Sequence, residues 1–181
     1  MTWQQIAKRI RVPLGFVFAI VFLWLARPTI ASMLTSLVLV VPGLWLRGYA
    51  SGYVKKNSEL AMTGPYAHTR NPLYLGSMMI AFGFALASMR WEVAVALAVL
   101  FLIIYLPTIR GEEAFLRSHF ASFNAYTRAV PRLFPRLRPA RLTTEHGQFS
   151  KPLYMQHREY NALMGAAVLY VALIVRLFWH M

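Results

Sequence analysis

The sequence predicts an all-α polytopic membrane protein with about five transmembrane helices. Its N-terminus is expected in the cytoplasm, and a helical segment is expected at the cytoplasmic interface. Three observations predict this. Of 181 residues, 58% are hydrophobic and 14% charged, where a soluble domain carries about 25% charged residues. Five apolar stretches approach the roughly 20 residues that a helix needs to cross a bilayer. The net charge of +13 is unevenly spread: with the N-terminus inside, every Lys and Arg except Arg27, Arg90 and Arg176 falls in a cytoplasmic segment, as the positive-inside rule requires. Cysteine is absent, which excludes disulfides, thiolate metal sites and cysteine nucleophiles. Aspartate is absent too, so carboxylate chemistry must belong to Glu59, Glu92, Glu112, Glu113, Glu145 or Glu159.

The first apolar stretch covers residues 12–26 and follows Lys8, Arg9 and Arg11. That pattern resembles a signal peptide, but no small-residue cleavage site follows and the next span begins at once. The second stretch, residues 30–46, contains Pro42-Gly43, where a kink is expected. The third and fourth, residues 73–89 and 91–109, are separated only by Arg90, and the fifth covers residues 163–179. Short links make two tight helical hairpins. We divide this single membrane domain into an N-terminal hairpin (1–50), a core (51–135), a basic interfacial segment (136–160) and the last span (161–181).

Residues 112–127 read as a helix after the fourth span, with Leu116, Phe120 and Phe123 on one face and Phe115 and Tyr126 near its edges. Arg132, Arg136, Arg138 and Arg141 then alternate with prolines and apolar residues, as in a segment that snorkels at lipid heads. Membrane topology and attraction to anionic lipid account for the basic charge. Without a nucleic-acid-binding signature, it does not imply a nucleic-acid partner.

Two clusters look chemical. The first is Thr63 to Gly76, which holds Tyr66, His68, Arg70, Asn71, Pro72 and Tyr74. Pro72 suits the first turn of the third span, with Asn71 as its N-cap. The N-terminus of that helix would attract an anionic ligand group, and Gly76 lets a backbone or a ligand approach closely. Capping and turn-making alone also explain this cluster. The second is Glu112-Glu113, beside Arg110. These carboxylates either complement the dipole of a following helix, or one binds a cationic or hydroxyl-bearing ligand group while the other caps. His68, His119, His146, His157 and His180 show no paired metal-ligand spacing, so no metal is expected.

At these clusters the chain resembles the superfamily of isoprenylcysteine carboxyl methyltransferases and phospholipid methyltransferases, over roughly residues 55–135. The matching pieces are Gly64-Pro65-Tyr66, then Arg70-Asn71-Pro72-Leu73-Tyr74-Leu75-Gly76, Glu112-Glu113, Phe120 to Tyr126, and Val130-Pro131. The resemblance implies an integral membrane enzyme using S-adenosyl-L-methionine in a cytoplasm-facing pocket of residues 51–135. Carried onto this chain, it implies cofactor contacts at Glu59, Leu60, Ala61, Tyr66, His68, Arg70, Asn71, Pro72, Leu73, Tyr74, Gly76 and Glu112. Glu113 and Arg110 become the candidate catalytic residues, and His68 or His119 would be alternative proton acceptors.

Two departures matter. Asn71 replaces the family's usual His and cannot become cationic, which favours a positional role. Thr108 stands where the eukaryotic carboxyl methyltransferases have a substrate-binding Arg. The implied partners are the bilayer and a lipid-like acceptor with a carboxylate or amine head, in a bacterial inner membrane. Two alternatives are weighed. A membrane sterol- or enone-type reductase using NADPH would want extra spans and more phosphate-binding basic residues near Asn71. A non-enzymatic scaffold or transporter subunit would want ionisable groups nearer mid-bilayer.

Overall fold

A computed structural model describes residues 3–55, 58–144 and 147–179, with residues 3–12 described by backbone alone. Lys56, Glu145, His146, His180 and the side chains of Lys8, Arg9 and Arg11 lie outside the described residues. All of the chain's regular structure is helical, with no strand among the described residues. Its helices are α1 (Trp3–Leu25), α2 (Ile30–Ser51), α3 (Pro72–Ser88), α4 (Trp91–His119), α5 (Phe123–Ala129), α6 (Lys151–Gln156) and α7 (Tyr160–Trp179).

Three of these, α2, α4 and α7, are long and apolar enough to cross a membrane, while the apolar part of α1 (Pro13–Leu25) and α3 are shorter. Their outward side chains suit lipid: Trp24, Val38, Trp45, Val168 and Phe178 are all exposed.

The links follow from local chemistry. Thr29 caps α2 in a reciprocal box with Ser32, and Ser32 Oγ also donates to Ala87 O (3.0 Å), tying the start of α2 to the end of α3. The α3–α4 reversal is made by Met89 in a left-handed conformation (φ 54). At this same end, Arg90 Nε donates to Leu25 O (3.2 Å) and Arg176 Nε to Ala26 O (2.8 Å). These cations satisfy carbonyls that α1 leaves unpaired at its C-terminus.

Helices α2 and α3 form the most extensive pair, because glycine lets their backbones touch. A Cβ on Gly43 would stand 2.8 Å from Gly76 O, and one on Gly76 would stand 2.7 Å from Gly43 O. Gly76, expected to admit a backbone or a ligand, admits the backbone of α2. We expect Gly43→Ala to cost about 1–3 kcal/mol through overpacking, read as a lower melting temperature in detergent. Gly15→Ala, whose Cβ meets nothing within 4 Å, should leave stability unchanged or slightly raised.

The expectation of a separate helix over residues 112–127 is corrected. Helix α4 runs unbroken from Trp91 to His119, with a π-helical turn at Phe101–Tyr105. The chain reverses at Phe120–Ser122, and α5 is a separate short helix. Glu112 and Glu113 therefore lie within a helix, and neither caps one. Phe123, Tyr126 and Val130 form a second small core, against which Leu60, Met62, Leu116 and Phe120 pack.

Residues 131–140, expected at the interface, are fastened to the chain before α3. They lie along residues 67–71 through Arg70 N to Pro131 O (2.9 Å), Arg136 N to His68 O (3.0 Å) and Ala140 N to Ala67 O (2.9 Å). We call this segment the strap.

Candidate functional site

The site gathers around the first turn of α3. Pro72 starts the helix, as the sequence predicts. Asn71 occupies the N-cap position, but its side chain does not cap. Asn71 Nδ2 donates instead to Arg132 O (2.9 Å) and makes a longer contact with Glu113 Oε1 (3.4 Å). The amides of the first turn of α3 consequently receive no side-chain cap.

One turn in, the Tyr74 hydroxyl donates to Glu112 Oε1 (3.0 Å). The Tyr74 ring meets Tyr105 edge to face at 6.0 Å, and Tyr105 stacks on Phe101 at 6.0 Å. Phe101 and Tyr105 bound the π turn of α4, whose extra residue changes which side chains face α3. These three rings lie at the wall of an apolar cavity of about 110 Å³ between α1, α3 and α4, bounded also by Leu14, Phe18 and Ala81. A second cavity of about 330 Å³ shares Gly15, Phe18, Ser77, Ala81 and Leu97 with it and reaches Gly165 and Ala166 on α7.

Behind Glu112, Glu113 is buried at 6% exposure. Its Oε2 accepts from Arg132 Nη2 (2.8 Å) and Nε (3.0 Å), and its Oε1 pairs with Arg70 Nη1 (3.4 Å). Burial lowers the pKa of Arg70, and the neighbouring Glu113 opposes that shift. Arg70 Nε is buried with no hydrogen-bond partner among the described residues. Tyr66 is buried as well, and its backbone carbonyl accepts from the Tyr126 hydroxyl (2.8 Å). Burial, then the field of Tyr126, Glu159 and Glu112, raises the pKa of Tyr66, with Arg47 acting in the opposite sense. It therefore stays a neutral phenol.

Arg47 and Glu159 form a further pair that sequence reasoning did not place in the site. Arg47 Nη2 reaches Glu159 Oε2 (2.8 Å), its Nε reaches the same oxygen (3.0 Å), and its Nη1 donates to Leu73 O (3.3 Å) and to Ser77 Oγ. This fork grips the first turn of α3 from behind and edges the larger cavity. Pairing of this kind carries no periodic signal. The available clue was that Arg47 ends one apolar stretch while Glu159, one of six acidic residues, stands just before another.

The other expected residues are placed less centrally. Glu59 pairs with Lys55 at an exposed position (2.9 Å), Leu60 packs on the Phe123 core, and Ala61 is half-buried beside it in sequence. The His68 Nδ1 contacts Arg136 O (2.8 Å), turning the ring to the strap. Arg110 is exposed and makes no ion pair or hydrogen bond with a described residue. The His119 ring stacks on Phe115 at the end of α4. Thr108 is buried and donates to Ile104 O (2.7 Å).

This architecture defines a helical membrane protein with a polar site at the end of an apolar bundle. The family model for phospholipid methyltransferases matches residues 29–122, which includes α3, the Glu pair and most of the contacts above, and the chain belongs to that family. It is 37% identical over 106 residues to the cobalt-zinc-cadmium resistance protein CzcN of Cupriavidus metallidurans, covering 59% of this chain and 48% of that one. It is 36% identical over 106 residues to the nickel-cobalt-cadmium resistance protein NccN of Alcaligenes xylosoxydans xylosoxydans, covering 59% and 49%. The chain spans about half the length of these curated relatives. No solved structure matches it significantly.

Proposed function

We propose that the chain transfers a methyl group from S-adenosyl-L-methionine to a lipid-like acceptor with a carboxylate or amine head. The proposed site faces the cytoplasm of a bacterial inner membrane, with five spans and an inside N-terminus. The observation that carries this reading is the Tyr74–Glu112 pair at the edge of an apolar cavity. Family membership supports the class of reaction.

The donor set fits the cofactor. An amino-acid carboxylate needs N–H donors and positive charge, which Arg70, whose Nε has no hydrogen-bond partner among the described residues, and the N-terminal end of the α3 dipole supply in this reading. A cationic or hydroxyl-bearing part needs an acceptor, which Glu112 provides. A sulfonium is favoured near aromatic faces, and Tyr74, Phe101 and Tyr105 present them. When bound, the cofactor supplies an electrophilic methyl carbon.

The protein supplies placement and dryness. Orientation of this kind can be worth roughly 7–11 kcal/mol, and the apolar cavity takes an acceptor tail while keeping water from its head. Glu113, with both oxygens committed to arginines, holds the site in this reading rather than moving a proton. Asn71 fastens the strap and Glu113 to the start of α3. A carboxylate acceptor needs no base, whereas an amine head must lose a proton before or during transfer.

Purified protein incubated with S-adenosyl-L-methionine and a native lipid extract should yield a lipid one methyl group heavier. If no lipid gains mass and NADPH instead protects the protein against heating, the reductase alternative replaces this reading.

The relatives' names concern metal resistance. Among the described residues no three His, Asp or Glu side chains gather. In this reading, any part the chain plays in metal resistance is methylation of a membrane component. Calorimetric titration with zinc or cadmium should show no stoichiometric site, and finding one would contradict this.

A further inference from the structure

The strap presents two large apolar side chains to the outside, Phe134 at 78% and Leu137 at 97% exposure. They do not belong to a slack loop. The backbone around them is pinned by the bonds to residues 67–70, by Thr69 Oγ1 donating to Leu133 O (2.9 Å), and by the Arg132–Glu113 pair. Exposed apolar groups on a fixed backbone mark a contact surface.

Its charge and its level select the partner. Residues 114–144 hold Arg117, Arg128, Arg132, Arg136, Arg138 and Arg141 and no acidic residue. Arg138 and Arg141, which follow Leu137, are exposed and pair with no described carboxylate. The level follows from α4. Glu113, which holds Arg132, lies about 33 Å along the helix axis from Trp91 at 1.5 Å per residue. A bilayer hydrocarbon core is about 30 Å thick. With Trp91 at one interface, the strap lies at the other.

We propose that the strap is a docking surface for anionic lipid, with Phe134 and Leu137 entering the edge of the hydrocarbon and Arg138 and Arg141 among the headgroups. Both parts of such a contact are physically matched: apolar tips bury in the acyl boundary and cations meet a negatively charged leaflet. The proposal rests on the membrane reading above, and it adds a lipid-binding surface outside the cofactor cavity. Because the strap is bonded to residues 67–71, a docked lipid would sit against the segment that leads into α3.

The chain has no cysteine, so single-cysteine variants can be spin-labelled without background. Leu137→Cys and Val38→Cys, the latter lipid-facing in α2, should be compared with the exposed loop variant Ser58→Cys in nanodiscs. The readout is the ratio of collision with oxygen to collision with a water-soluble nickel complex.

In bilayers containing phosphatidylglycerol, the label at 137 should be several-fold more oxygen-accessible relative to nickel than the label at 58. That difference should fall in pure phosphatidylcholine and in an added Arg138→Gln, Arg141→Gln background. A label at 137 as nickel-accessible as that at 58 in every bilayer would overturn the proposal, pointing to a soluble partner instead. A label at 38 that reads as aqueous would overturn the membrane reading itself, which separates the two failures.

Discussion

Replacing Glu113 by Gln is expected to destabilise the protein by about 3 kcal/mol. Removing one member of a buried pair costs about 3–5 kcal/mol, because the partner charge stays behind unpaired. The low end applies here, since Arg132 is partly exposed and can rehydrate, while Arg70 cannot do so as readily. The loss should appear as a lower melting temperature in detergent micelles. Adding Arg132→Gln to Glu113→Gln should cost less than the two single losses combined, as expected for residues in contact. A Glu113→Gln protein with unchanged stability and no turnover would mean that this carboxylate moves a proton, and the anchoring role would be withdrawn.

The second large effect concerns Glu112 and Tyr74. Glu112→Gln, at an exposed position, should leave folding within about 0.5 kcal/mol, and Tyr74→Phe, which keeps its half-buried ring, should cost no more than the roughly 0.5–1.5 kcal/mol of one hydrogen bond. Each should weaken S-adenosyl-L-methionine binding, Glu112→Gln by roughly tenfold to a hundredfold. That corresponds to about 1.5–3 kcal/mol for a lost hydrogen bond to a charged group. Tyr74→Phe keeps its ring against Tyr105 and loses only the hydroxyl, so its effect should be the smaller. Calorimetry at fixed ionic strength gives both values. Equal affinity in wild type and Glu112→Gln would remove Glu112 from the site.

The parts of this protein that were legible in its sequence are those with a local or periodic signal. Apolar runs marked all five apolar helices to within a few residues at most ends. Pro72 marked the start of α3. That Tyr74 and Glu112 belong to one site was implied by a resemblance and not by any spacing, and the two side chains share a 3.0 Å hydrogen bond. Glu112-Glu113 read as the start of a new helix after the fourth span, yet α4 continues through Gly111 and through them. A helical glycine costs only about 1 kcal/mol against alanine, and Glu113 finds its counter-charges on chain that returns later. Arg132 and the strap were illegible for the same reason. Bonds such as Ala140 N to Ala67 O join residues far apart in sequence, and no spacing rule reports them. The Arg47–Glu159 fork is of the same kind.

In the proposed reading Tyr74, Glu112 and Arg70 enclose one S-adenosyl-L-methionine at the end of the apolar bundle. A crystal structure grown in a lipidic mesophase with S-adenosylhomocysteine tests it most directly. Ligand density is expected between Tyr74 and the first turn of α3, with the amino-acid carboxylate toward Arg70 and the Glu112 carboxylate in contact. Density elsewhere on the chain, with the Tyr74–Glu112 bond undisturbed, would contradict it.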